Sequence, residues 1–310
     1  MGAGPIVVVG SVNLDLVSTC ERLPSPGETV SGNNFQMFEG GKGANQAVAV
    51  ARLGYPVAMV AKVGGDEFGN RLRVALKVAG VSIEHVSVAE GVSSGVAMIT
   101  ADRHGQNTIV VIPGANGRLL PADMDQAAPL LRSAGMILAQ LEIPIRTIEY
   151  LSKLAKKFRV PLMLDPAPAQ PLSPKVFKSI AFLTPNETEA GSLCGRDGMA
   201  IDCSNARDMA EQLLSKGPRN VILKMGKQGS YFSGQDTTGN FVPAFKVRAV
   251  DSTAAGDAFN GGLAVSLLQG KGLIEAGRFA SAVAALSVKR KGAQPSMPTI
   301  AQVHEFLKRD

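Results

Sequence analysis

From Ile6 to Gly226 the chain alternates short apolar runs with stretches whose apolar residues recur every three or four positions. IVVVG (Ile6–Gly10), VAMVAKVG (Val57–Gly64), MILAQL (Met136–Leu141), VPLMLD (Val160–Asp165), AFLTP (Ala181–Pro185) and NVILKMG (Asn220–Gly226) read as buried strands. ANQAVAVARLG, DEFGNRLRVALKVAG, PIRTIEYLSKLAKKF and NARDMAEQLLSKG carry helical spacing, and several close on Gly. A strand that is apolar without alternation is covered on both faces. The pattern therefore predicts an α/β fold, a mainly parallel sheet sandwiched by helices. From about Asp257 onward the pattern is nearly all helical: FNGGLAVSLLQG, LIEAGRFASAVAALSVKR and IAQVHEFLKRD.

Two regions interrupt the alternation. ETVSGNNFQMF (Glu28–Phe38) and the pair SGVAMITAD (Ser94–Asp102) and NTIVVIPGAN (Asn107–Asn116) read as extended, hairpin-forming segments. We expect them to pair into a small protruding β-sheet lid, inserted at about residues 16–38 and 94–116 of a single domain spanning 1–310. Such a sheet can close over a pocket or pack against a second subunit, so a homodimer through the lid is expected.

Composition narrows the class. Of 310 residues, 45% are hydrophobic and 19% charged, a profile that folds as a globular protein. No apolar run reaches the roughly 18 residues of a membrane span, and MGAGPIVVVG lacks the regions of a secretory signal, so a cytoplasmic protein is expected. Cys20, Cys194 and Cys203 are too scattered for a disulfide framework, and His85, His104 and His304 show no ligand spacing. The net charge of +6 is spread over helix faces such as Lys153, Lys156, Lys157 and Arg159, and there is no Trp for base stacking. Anionic substrates explain that charge as well as nucleic acid does.

Candidate chemistry lies where strands give way to loops, which is where open α/β sheets bind ligands. In SVNLD (Ser11–Asp15), Asn13 and Asp15 share one face of an extended segment, a pair suited to vicinal hydroxyls or to a local Asx turn. EGGKGANQ supplies glycines that admit a close backbone approach ahead of a helix, a common turn in α/β proteins and not a Walker motif. TPNETEA sets Asn186 and Glu189 three apart, able to cap a helix or to hold water around Mg²⁺. LKMGKQGS is a nucleotide-lining loop or a plain hairpin turn. In DSTAAGDAFNGGL the small residues Ala254, Ala255 and Gly256 uncover amides at a helix start, an anion hole with Asp257 beside it. Phosphoryl transfer needs an acceptor for the nucleophile's proton next to such a hole. The bland reading of Asp257 as an N-terminal helix acid leaves the smallness around it unexplained.

AAGDAFNGGL and GGKGANQAVAVARLG resemble the two signatures of the ribokinase-like carbohydrate kinase family, and NLD, LDPAPA, NETE and RKGAQPS match its ribose-phosphorylating branch in order along essentially the whole chain. The resemblance implies ATP-dependent phosphorylation of D-ribose at O5, with Mg²⁺ and K⁺. It implies a sugar site of Asn13, Leu14, Asp15, Gly41, Lys42, Gly43, Ala44, Asn45 and Glu142, with Asp257 as catalytic base above the Ala255 and Gly256 amides. ATP would meet Asn186, the loop Lys224, Met225, Gly226, Lys227, Gln228 and Gly229, and also Gly256, Asp257 and Ser281, while Glu189 would order Mg²⁺ waters. The monovalent cation would take oxygens, largely main-chain, from Asp251, Thr253, Ser287, Arg290, Gly292 and Ser296. Lys224 stands where such proteins often carry Thr, and Ser281 where an adenine-flanking His or Asn is frequent. Deoxyribose is a second acceptor to test, and an inactive sugar-binding relative is a reading from another class. A dinucleotide-dependent dehydrogenase fails, because Gly10 is followed by SVNLD and not by GxGxxG.

Overall fold

The computed structural model describes residues 4–309 apart from 197, 199, 200 and 236. Its strands, in chain order, are β1 (Ile6–Val9), β2 (Asn13–Cys20), β3 (Gly32–Gly40), β4 (Val57–Gly64), β5 (Ser82–Ala89), β6 (Gly95–Asp102), β7 (Asn107–Ile112), β8 (Met136–Gln140), β9 (Leu162–Asp165), β10 (Phe182–Leu183), β11 (Asn220–Lys224), β12 (Ser230–Gly234) and β13 (Thr237–Val242). The helices are α1 (Lys42–Arg52), α2 (Glu67–Val78), α3 (Pro121–Gln126), α4 (Ala128–Ser133), α5 (Ile145–Phe158), α6 (Pro174–Phe177), α7 (Glu187–Leu193), α8 (Ala206–Ser215), α9 (Ala255–Leu268), α10 (Leu273–Ser287) and α11 (Ile300–Lys308).

The main sheet runs β13-β12-β11-β10-β9-β8-β1-β4-β5. Every neighbouring pair from β11 to β5 is parallel, and β12 and β13 extend it antiparallel. Along β1, Ile6 and Val8 enter a core shared with α1, α2, α9, α10 and α11, while Val7 and Val9 enter the core under α3 to α8. That two-sided burial is why the central strands read as unbroken apolar runs, each such side chain stabilising the fold by roughly 1.5–3 kcal/mol. Among the described residues no helix is long and apolar enough to cross a membrane.

The expected α/β sandwich is borne out, and all six expected strands belong to the main sheet. The apolar pattern misses β5 and β13, the two edge strands, and β12, which lies next to β13. β5 has only one well-covered side, so its sequence, SIEHVSVA, alternates and shows no continuous run.

The interrupting segments form a second sheet, β3-β2-β6-β7, in which β2 and β6 are parallel and the outer pairs antiparallel. It begins at Asn13, earlier than expected, because SVNLD continues without a break into β2. It also ends earlier: Pro113 cannot extend the ladder, and Gly114–Arg118 turn as a 3₁₀ helix. The register separates its faces. Asn13 and Asp15 share one face with Val111, while Phe35, Met37, Met98, Val110 and Ile112 lie on the opposite face, all exposed.

Candidate active site

Close backbone approach creates the site. Gly41 has φ 87°, and a Cβ there would lie 2.7 Å from the Asn13 amide nitrogen; a Cβ on Gly43 would lie 2.8 Å from Gly10 Cα. Only glycine lets α1 start against the carboxyl end of β1. Helix α1 in turn touches α9, where a Cβ on Gly261 would stand 2.7 Å from Ala49 Cβ. These two contacts carry Asn45 and Gln46 to Asp257.

Asp257 is 5% exposed and fully accounted for. Its Oδ2 accepts from Asn45 Nδ2 and its Oδ1 from Gln46 Nε2, both at 3.0 Å. Burial pushes its carboxyl up to about 6; Lys42 opposes the rise and Asp165 adds to it. At neutral pH the group is an ionised base within reach of its own pKa, the range that suits proton acceptance.

The turn before it departs from expectation at one donor. Ala254, at φ 59° and ψ 15°, caps α9 in the left-handed region with no side-chain cap. Ala255 N–H donates to Ser252 O at 3.2 Å, so this amide is engaged. Among the described residues the amides of Gly256 and Asp257 have no acceptor, which leaves both free to receive an anion.

Asp165, at the end of β9, lies outside the residues expected from the motifs. Its Oδ2 accepts from Gln46 Nε2 (3.1 Å) and Asn260 Nδ2 (2.9 Å), and its Oδ1 from Lys224 Nζ (2.9 Å). Gln140 Nε2 donates to Gln46 Oε1 at 2.6 Å. A single amide, Gln46, therefore bridges two buried carboxylates and is itself aimed by a third side chain.

Beside the start of β2 a cavity of about 390 Å³ is lined by Asn13, Asn116, Glu142 and Gln170 among apolar residues, with Val111 of β7 at its wall. Asn13 Oδ1 accepts from Asn116 Nδ2 at 2.7 Å, and Asn116 also ties down the main chain of Val12. Glu142 Oε2 accepts from Ser11 Oγ (2.5 Å) and Lys42 N (3.1 Å). Asp15 is pushed up to about 7 by burial and by the charges of Glu142 and Asp257, with Lys42 opposing. Burial pulls Lys42 down, but Asp257, Asp165, Glu142 and Glu189 outweigh it and hold the ammonium charged. Leu14 and Ala44 are fully buried in the core, so neither presents a side chain to a ligand.

On the other side of Gly256 a cleft of about 310 Å³ is lined by Lys224, Gly226, Lys227, Gly229, Ala255, Gly256 and Ser281, all expected, and by an apolar slot of Phe245, Val247, Phe259, Ala284 and Val288, which was not. Met225 belongs to the core, and Gln228 Oε1 accepts from the Cys203 thiol at 3.7 Å. Asn186 and Glu189 form a reciprocal capping box: Asn186 Oδ1 accepts from Glu189 N and Glu189 Oε2 from Asn186 N, each at 2.8 Å. An Asn186–Lys224 bridge sets this cap beside the cleft. Burial and Asp165 raise the Glu189 carboxyl.

The residues are compatible with both metals in a limited way. Asp251 Oδ1 accepts from Thr253 N and Oδ2 from Gly292 N, both at 2.9 Å, while the hydroxyls of Ser287 and Ser296 donate to Ala284 O and Ala293 O. With those side chains engaged, the loop has main-chain carbonyls to offer a monovalent cation. Arg290 N itself donates to Ser287 O. Among the described residues no three His, Cys, Asp or Glu side chains gather into a metal cage. A Mg²⁺ ion here would keep its waters and nucleotide oxygens, with Glu189 reaching it through water.

Residues 4–300 match the pfkB family of carbohydrate kinases. The ribokinase of Haemophilus influenzae is 39% identical over 302 residues, covering 97% of this chain and 98% of that one. The deoxyribokinase of Salmonella typhimurium is 38% identical over 304 residues, covering 97% of this chain and 98% of that one. Among solved structures, Arabidopsis thaliana ribokinase complexed with ribose and ATP superposes with a TM-score of 0.92 at 36% identity, covering 99% of each chain.

Proposed function

The chain belongs to the pfkB family of carbohydrate kinases, and from that membership we propose that it moves the γ-phosphoryl group of ATP to the O5 hydroxyl of D-ribose. One observation carries the reading: a buried carboxylate held by two amides sits beside two unengaged helix amides at the head of an apolar cleft, in a molecule that also offers a cavity bearing Asn13, Asn116 and Glu142. The sugar hydroxyls meet Asn13, Asp15, Asn45 and Glu142, and the adenine ring fills the slot at Phe245 and Val288. As O5 attacks phosphorus, Asp257 takes its proton, and the amides of Gly256 and Asp257 receive the oxygens of the transferring group. Mg²⁺ and a monovalent cation, when bound, supply positive charge to the phosphates; Glu189 and the carbonyls of the Asp251 loop are the residues that would hold them.

Two features of this reading concern the second sheet. Its inner face, bearing Asp15 and Val111, closes over the sugar as a lid, and its exposed apolar outer face pairs with a second copy of the chain, as patches of this kind do. The setting is cytoplasmic.

A coupled assay of ADP release across pentoses and hexoses tests the acceptor. D-ribose should show the highest kcat/KM, with deoxyribose next, and activity should rise several-fold when K⁺ replaces Na⁺. A clear preference for deoxyribose would move the assignment to that sugar, as the deoxyribokinase relative allows; no turnover with any sugar would leave a binding protein. Indifference to the cation would remove the Asp251 loop from the account.

A further inference from the structure

Lys224 ends β11 with its ammonium inside the site. Its side chain is 12% exposed, and its Nζ is 2.9 Å from Asp165 Oδ1. A Cβ on Gly256 would lie 3.3 Å from that same Nζ, so the ammonium stands over the first turn of α9, beside the two unengaged amides, and the side chain also lines the nucleotide cleft. An ammonium has three hydrogens to give. Among the described residues Asp165 is its sole acceptor, which leaves donors free toward the cleft.

Neutralising Asp165 is the bland role for this lysine, and the geometry argues against its being the whole role. Asp165 already receives two neutral amides on its other oxygen. A buried ion pair adds little net stability, because desolvating both charges offsets their attraction. Charge balance asks for more: among the described residues, the cations acting on Asp15, Glu142, Asp165, Glu189 and Asp257 at the centre are Lys42 and Lys224. The Lys42 ammonium is already shared among Asp257, Asp165, Glu142 and Glu189. Of the two lysines that line the cleft, Lys227 is exposed, and Lys224 is the one held inside the site over the first turn of α9.

Resting on the sugar-kinase reading of this site, we propose that Lys224, oriented by Asp165, contacts the phosphate bridge of the donor and stabilises the transfer step. The O5–phosphorus bond forms, the phosphorus–oxygen bond to ADP breaks, and the hydroxyl proton passes to Asp257. The electron pair of the broken bond stays on the ADP oxygen, where the ammonium meets the growing charge.

The test is a double-variant cycle of Lys224→Met, Asp165→Asn and the pair, with kcat, KM for ATP, KM for D-ribose and melting temperature read for each. Lys224→Met should lower kcat about 10²–10³-fold, the loss typical of removing one preorganised donor, with KM for D-ribose within about threefold. A smaller but clear fall should remain when Asp165→Asn is the background, since that variant loosens Lys224 without removing it, and Lys224→Arg should recover part of the loss. If Lys224 only balances Asp165, adding Lys224→Met to Asp165→Asn will cost nothing further, and the proposal is overturned; undiminished kcat in the single variant overturns it too. Should Lys224→Met fail to fold, the pair, which leaves no orphan charge, is compared with Asp165→Asn. Absence of ATP-dependent ribose turnover in the unaltered protein is a different result, and it removes the kinase reading instead.

Discussion

The two halves of the cleft are built from opposite materials. On the sugar side Asn13, Asn45, Gln46 and Asp257 are buried polar groups and Asp15 and Glu142 half-buried ones, most of them fixed by direct side-chain hydrogen bonds from several elements. On the nucleotide side the wall is apolar, Phe245, Val247, Ala284 and Val288, with main chain and two lysines at the edge. A polar constellation is sensitive to one atom, because each lost partner leaves a buried group unsatisfied. An apolar slot tolerates changes of identity and resists only changes of volume.

The largest effect should therefore follow the smallest edit. Asp257→Asn keeps shape but removes the proton acceptor and sets an amide against the donors of Asn45 or Gln46. We expect kcat to fall about 10²–10⁴-fold, the span of general-base contributions, with ATP affinity unchanged by calorimetry. Unaltered turnover would take the base role from Asp257.

The nucleotide side should yield only to bulk. Ala284→Phe places a ring in the slot beside Ser281 and Val288, and KM for ATP should rise about 10–200-fold, the range seen when apolar pockets lose fit. Ribose affinity and melting temperature should stay as in the parent protein. If sugar binding falls equally, the two halves are coupled more tightly than their separate walls indicate.

The same contrast governs what could be read from the chain. Asn13, Asp15, Asn45, Glu142 and Asp257 sit in short motifs at strand ends, and their local pattern carries their chemistry. Gln46 stands in one of those motifs, and Asn260 lies one helical turn from Asp257; both could have been found by asking which neighbours share a face. Asp165, closing a buried parallel strand, was visible by position but not by role, since nothing local says that Lys224 and Gln46 converge on it. The apolar slot was illegible, because Phe245 and Val288 come together only through packing of separate elements. Likewise Ala255 looked free, and only the turn geometry reveals its bond to Ser252. In the fold, two-sided burial announced the central strands, while the edges hid β5 and β13, and β12, though covered on both faces, is a short strand whose run SYFSG is broken by serines.

The smallest effect is also the most selective. Asp15 is raised to about 7 by burial and by Glu142 and Asp257, whereas an unfolded chain returns it to its ordinary value of 3.8. A carboxyl raised on folding favours the folded state below its unfolded value and loses that advantage as pH climbs through the raised one, a change on the order of 4 kcal/mol for this shift. In the ligand-free protein, Asp15→Asn should then gain melting temperature over the parent between pH 5 and pH 8 and gain no more above it. For binding the sign is reversed: protonation removes the acceptor that the sugar needs, so KM for D-ribose should rise about tenfold from pH 8 to pH 6. KM for ATP, whose apolar slot holds no carboxyl against the ring, should change less than KM for D-ribose over that range. A profile in which ATP responds and ribose does not would put the shifted acid on the nucleotide path and reverse the assignment of the two walls.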